Sequence, residues 1–223
     1  MQKHLTFFIA LFISCSSIAQ LTYKQIQQID SLKKVISSAK HDSIKINALV
    51  SWDNIIYASD PQLDLKLNKQ IQVICENNLT KQLTEKEIQK FKKGIAACLN
   101  NIGVIYKEQG DLTKAMDYYT KSLKISKEIG NKNGIASSLG NIGIIYKNQG
   151  DYVKAIDYYT KSLKIREEIG DKYGIATSLN NIGEIYKDQG DYAKAIDYFT
   201  RTLKIDEELG DKKGIAGSLN NIG

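Results

Sequence analysis

The side chains that could carry chemistry are few. Past residue 19 the chain holds one histidine, His41, and two cysteines, Cys75 and Cys98. A metal centre needs a cluster of ligands, and nucleophilic catalysis needs a base with its orienting partner. One histidine in a polar connector supplies neither. Cys75 and Cys98 sit on apolar helical faces, where a buried thiol is the commoner outcome, although export would permit a disulfide. The glycines recur as helix stops and form no phosphate loop. The expectation is a non-catalytic chain that needs no cofactor and no metal. What remains is amide chemistry. Asn101, Asn141, Asn181 and Asn221 each precede an Ile-Gly pair at intervals of 40 residues. Asn100, Asn180 and Asn220 stand beside three of them, and Gly140 breaks that second column. A carboxamide offers a donor and an acceptor together, so it can grip the backbone of an extended peptide. It can equally bond a neighbouring helix and hold two elements in register.

The elements that position these amides come from a repeat. Residues 94–133 read GIAACLNNIGVIYKEQGDLTKAMDYYTKSLKISKEIGNKN, and residues 134–173 match them at 28 of 40 positions without a gap. Residues 174–213 match the second copy at 29 of 40, and a fourth copy occupies 214–223. A fixed period of this size signals a solenoid. Within a copy Ile95, Leu99, Ile102 and Tyr106 form one helical face, and Ala115, Met116, Tyr119 and Leu123 form another. Gly110-Asp111 separates them, glycine as a helix stop and aspartate as the next N-cap. Each copy is therefore a helix–turn–helix hairpin that leaves an apolar face wet unless neighbours stack on it. The tyrosines at 106, 118, 119 and their copies coincide with these faces and read as packing residues with hydroxyls at the rim.

Leu99, Ile102-Gly103, Tyr106, Ala115 and Tyr119, with Leu139, Ile142-Gly143, Tyr146, Ala155, Tyr159 and Leu179, Ile182-Gly183, Tyr186, Ala195, Phe199, resemble the tetratricopeptide repeat (TPR) family. Two departures exist. Lys127, Glu167 and Glu207 stand where the family prefers proline, and the period is 40 rather than about 34, as in longer variants such as kinesin light chain. The extra length is expected in the second helix. The resemblance implies an all-α fold, a right-handed superhelix (α-solenoid), with the first helices lining a concave groove for a peptide or protein segment. It makes Asn101, Asn141, Asn181, Asn100 and Asn180 groove candidates. Val104, Ile144, Glu184 and Lys107, Lys147, Lys187 occupy further groove-side offsets, and the varying Val104, Ile144, Glu184 column is where ligand specificity is expected.

Residues 20–93 are helical but off the repeat. Ile26 to Ile36 form a short amphipathic segment, Asp42 is expected to cap a helix carrying Ile46 to Ile56, and Asp60-Pro61 to open the next. Glu76 to Asn78 should weaken that helix. This segment is read as a degenerate hairpin capping the array. Met1 to Ala19 reads as a secretory signal peptide: a polar start at Lys3-His4, an apolar core from Leu5 to Ile13 too short to span a bilayer, and Ser17-Ile18-Ala19 as a cleavage site before Gln20. Leu11 to Cys15 also resembles a lipobox with Phe12 off pattern, so Cys15 is the alternative anchor. The protein is thus expected to be exported, periplasmic or secreted. Residues 20–93 hold 12 basic and 8 acidic side chains, residues 94–223 hold 18 and 17. That balance makes no basic stripe and argues against nucleic acid as a partner. Because residues 214–223 form only the front of a repeat, the chain reads as part of a longer protein. The start of the array resembles exported TPR regions of bacterial signalling proteins. The alternative role is accordingly a sensor region ahead of a membrane helix and a histidine kinase or nucleotide cyclase, with membrane contact only through that missing segment or a lipidated Cys15.

Overall fold

A computed structural model describes residues 21–56 and 59–223. The expected signal peptide, with Cys15, lies outside the described residues. These fold as ten α-helices with no strand among them: α1 (Tyr23–Ser38), α2 (Asp42–Ile56), α3 (Pro61–Leu79), α4 (Glu85–Glu108), α5 (Leu112–Glu128), α6 (Lys132–Asn148), α7 (Tyr152–Ile169), α8 (Lys172–Asp188), α9 (Tyr192–Leu209) and α10 (Lys212–Ile222). The chain divides into two compact units, residues 1–105 and 106–223, with the boundary inside α4.

In the first unit α1 packs on α2 and α2 on α3. Thr22 and Gln25 form a reciprocal capping box at the start of α1. Asp60 caps α3 through the Leu63 amide, with Pro61 in the first turn as expected. Asp42 opens α2 rather than capping it: the His41 carbonyl accepts from the Ile44 and Lys45 amides. The Asp42 carboxylate instead takes Asn78 Nδ2 at 2.9 Å and Lys81 Nζ at 3.1 Å, and these bonds hold its pKa below the usual carboxylate value. Nor does α3 weaken at Glu76–Asn78; it runs on to Leu79, with Asn78 buried and bonded back to the Ile74 carbonyl. The helix expected to open at Gly94 begins at Glu85 and is continuous through that position. Cys75 and Cys98 are free and buried, and burial pushes both thiols up, Cys75 to about 11.

In the second unit each helix packs on the next, α5 through α10, and the same local grammar recurs. Gly110, Gly150 and Gly190 adopt φ of 82°, 75° and 77°. The following Asp111, Asp151 and Asp191 accept from the amides of Lys114, Lys154 and Lys194. Glycine supplies the left-handed turn that ends one helix, and aspartate satisfies an orphan amide of the next. The 40-residue period is shared almost evenly, with 17 residues in α6 and α8 and 18 in α7 and α9, so the second helix is not lengthened alone. Tyr119, Tyr159 and Phe199 are fully buried, as are Ala115, Ala155 and Ala195. The rings of Tyr159 and Phe199 sit under the glycine of their own hairpin's first helix: a Cβ on Gly143 would stand 2.7 Å from Tyr159 Cε1, and one on Gly183 would stand 2.8 Å from Phe199 Cε1.

Candidate functional site

The first helices α6, α8 and α10 carry most of the sequence-derived candidates. Their backbone positions follow from the paired apolar residues beneath, Leu139, Ile142 and Ile145 in α6 and Leu179, Ile182 and Ile185 in α8, all buried. One turn outward, the polar residues join across repeats. Asn221 Nδ2 on α10 donates to Asn180 Oδ1 on α8 at 3.1 Å. Asn180 Nδ2 donates to Glu184 Oε1 at 2.9 Å, and Glu184 Oε2 pairs with Lys147 Nζ from α6. A single polar run, Lys147–Glu184–Asn180–Asn221, thus crosses three successive first helices. Lys147 and Glu184 are partly shielded, at 24% and 38% side-chain exposure.

The other candidates are distributed differently. In the first unit, Asn101 Nδ2 on α4 donates to Asn68 Oδ1 on α3 at 3.2 Å. With the Asn221–Asn180 bond, this puts two amides of the column into contacts between successive hairpins. Asn100, Asn141 and Asn181 are half-buried. By the offset seen in Asn221–Asn180, the partner position of Asn181 is 140, where glycine has no amide to offer. Val104 is half-buried, and Ile144 packs against the core cluster of Ala155, Tyr159 and Leu163 rather than standing free. Lys107 is half-buried and Lys187 exposed.

Sequence reasoning missed a second variable column. Positions 126, 166 and 206, on the second helices, are Ser, Arg and Asp, and each lies against the glycine that opens the next copy, Gly134, Gly174 or Gly214. Arg166 pairs with Asp171 at 2.7 Å and bonds Ser162 Oγ at 3.1 Å. Asp206 accepts from Ser218 Oγ at 2.9 Å. Beside it, α8 and α10 leave a cavity of about 320 Å³ lined by Tyr173, Asn180, Asp206, Asp211, Ser218 and Asn221 among others. The signal was available in the sequence, where this column runs from neutral to basic to acidic across the three copies.

Two further features were not legible. Asn68, only 1% exposed, donates to Asp53 Oδ1 at 2.8 Å and Asp64 Oδ1 at 2.6 Å, and both carboxyls are buried. Burial pushes both up, Asp64 to about 7 with the neighbouring Asp53 adding to the rise. The outer tyrosines pair as stacks, Tyr106–Tyr118, Tyr146–Tyr158 and Tyr186–Tyr198, at centroid distances of 5.4, 5.3 and 5.6 Å. Lys114, Lys154 and Lys194 cover them at 5.1, 5.1 and 5.0 Å. Among the described residues no group of His, Cys, Asp and Glu could hold a metal ion, and no helix is long and apolar enough to cross a membrane.

The chain is similar to several solved structures. BtubC (BKLC) from P. vanneervenii matches with a TM-score of 0.72 and 21% identity, covering 90% of this chain and 82% of that one. Aspartyl phosphate phosphatase F from Bacillus subtilis matches at 0.74 with 16% identity, over 88% of this chain and 51% of that one. A Rap protein complexed with Competence and Sporulation Factor matches at 0.71 with 17% identity, over 88% and 54%. The chain spans about half the length of the latter two, and identities this low establish the fold alone. No curated protein matches the sequence. The family model described as Tetratricopeptide repeat matches residues 94–168 and again 134–208, together more than half of the chain. With hairpins that repeat every 40 residues and small residues seated on the paired aromatic rings, the chain belongs to the tetratricopeptide repeat family.

Proposed function

We propose that this protein is a non-catalytic interaction module that binds a peptide or protein segment along the face formed by its first helices. The observation that carries this is the polar run Lys147–Glu184–Asn180–Asn221 lying beside the cavity between α8 and α10. Amides and charges held in place by one another are preorganised, so a ligand meets them without ordering them first. The stacking role of Asn180 and Asn221 and a ligand-contacting role are compatible, because each amide keeps hydrogen-bonding capacity beyond the bonds it makes here.

The test is selection of peptides from a random display library on the purified protein, followed by affinity measurement on Glu184→Gln and Lys147→Gln. Both substitutions should weaken the selected peptides by about fivefold or more while shifting Tm little, since a partly exposed pair contributes ~1 kcal/mol or less to folding. Failure to enrich any peptide, or equal affinity in both variants, counts against this face.

A second reading makes the chain the sensing region of a longer exported signalling protein with a histidine kinase or nucleotide cyclase output. The signal-peptide pattern of Met1 to Ala19 supports export. A downstream reading frame encoding an apolar helix of about 20 residues and such a domain supports it; a stop codon shortly after Gly223 removes it.

A further inference from the structure

The cavity between α8 and α10 has an internal comparison one repeat earlier. There Arg166, on α7, is cradled between residues of α6 and α8. Its Nη1 pairs with Asp171 Oδ2 at 2.7 Å, its Nε donates to Ser162 Oγ at 3.1 Å, and its side chain is 16% exposed. One glycine makes room for it: a Cβ on Gly174 would stand 1.7 Å from Nη1. Gly140 lies alongside, its Cβ position at an ordinary contact distance of 4.0 Å from Nη2.

Forty residues on, the acceptors of that cradle are kept and the cation is reversed. Thr202 stands for Ser162, Asp211 for Asp171, Gly214 for Gly174, and Asp206 takes the place of Arg166. Asp211 caps α10 through Oδ1, accepting from the Gly214 amide at 3.1 Å, as Asp171 caps α8 through Oδ1 from the Gly174 amide at 2.9 Å. The second oxygen, which in Asp171 receives the guanidinium, has no basic partner at Asp211 among the described residues. Asp206 is 5% exposed, lines the cavity, and its side chain has one hydrogen bond among them, from the Ser218 hydroxyl. A buried carboxylate served by one neutral donor is short of the cation and the further donors that ordinarily offset its burial. Tyr173, 59% exposed at the edge, adds a ring face on which a cation can rest.

We propose that this cavity is a subsite for a guanidinium or ammonium side chain of the bound segment, with Asp206 and Asp211 supplying the counter-charge that Asp171 supplies to Arg166 one repeat earlier. The proposal rests on the peptide-binding reading above and specifies the residue class selected there. The column Ser126, Arg166, Asp206 then reads along the array as a neutral position, a position filled by the protein's own cation, and a position that takes one from the ligand.

The experiment titrates N-acetyl-arginine amide into isotope-labelled protein, followed by NMR, with N-acetyl-citrulline amide as the uncharged isostere. Saturable shifts are expected at Asn180, Gly214, Gly217 and Asn221, with citrulline at least about tenfold weaker. Asp206→Asn should weaken the arginine probe by a similar factor. Asp206→Arg combined with Asn180→Gly copies the preceding repeat and should abolish binding with helical content unchanged. Equal affinity for the two probes, shifts elsewhere only, or no shift at all overturns the subsite. If Asp206→Asn does not fold, the probe pair on the unaltered protein still decides. Library-selected peptides that depend on Glu184 but show no preference for Arg or Lys leave the binding face standing and remove this subsite alone.

Discussion

Gly143 lies directly on the ring of Tyr159, close enough that a Cβ at 143 would stand 2.7 Å from Cε1. Replacing a mid-helix glycine by alanine ordinarily stabilises by ~1 kcal/mol through helix propensity. Here the added methyl must displace a fully buried ring, and overpacking of this kind costs ~1–3 kcal/mol. Gly143→Ala is expected to lower stability, as is Gly183→Ala over Phe199. Gly217, on α10 with nothing within 4 Å of its Cβ position, is the control, and Gly217→Ala should raise it. Denaturant unfolding of the three variants checks this; a gain in stability for Gly143→Ala would contradict the close approach.

Tyr159 carries a buried hydroxyl with no hydrogen-bond partner among the described residues, and burial pushes its pKa above the usual tyrosine value. The equivalent position one repeat on is Phe199, equally buried. Tyr159→Phe should leave stability unchanged or raise it by ~1 kcal/mol, because an unpaired buried hydroxyl is removed with its shape kept. A loss of more than ~1 kcal/mol would reveal a partner for that oxygen.

Asp64 sits beside Asp53 and Asn68 with a folded-state pKa of about 7, above the ordinary 3.8, chiefly because it is buried. Between those values the folded protein holds a proton that the unfolded chain has released. The stabilisation is therefore fully present below about pH 3.8 and is lost as pH rises through about 7. The capping carboxylates Asp111, Asp151 and Asp191 are shifted the other way by their bonds to lysine, so their contribution is lost only as pH falls below the usual carboxylate range. Melting curves should show a falling Tm from about pH 5 to pH 7.5, at roughly 3 °C for each kcal/mol lost. Asp64→Asn, which mimics the protonated group, should flatten that slope. An equal slope in the variant would place the titrating group elsewhere.

The signal-peptide pattern predicts a mature N-terminus at Gln20. Mass spectrometry of protein recovered from a secreting host checks it: a chain beginning at Gln20 agrees, a lipid-modified chain beginning at Cys15 selects the lipobox alternative, and an intact Met1 removes export.

The hairpin repeat, its period and the membership of Gly143, Ala155 and Tyr159 in a packed contact were legible in the sequence, because the alternation of apolar residues, Gly stops and Asp caps is local and is written three times. The sequence alone likewise identified Asp60-Pro61 as a helix start and marked the asparagine columns. Three things were decided only in three dimensions. Asp42 is not the cap its position suggests, and its carboxylate bonds Asn78 and Lys81, 36 and 39 residues away. Asp53, Asp64 and Asn68 became one buried network because α2 and α3 pack face to face, a pairing that no short-range pattern encodes. Gly140, a break in the asparagine column when read along the chain, lies beside Arg166, a residue from another helix 26 positions on. Local spacing determines which face a side chain shares within its own helix; which foreign side chain shares that space depends on how the hairpins stack.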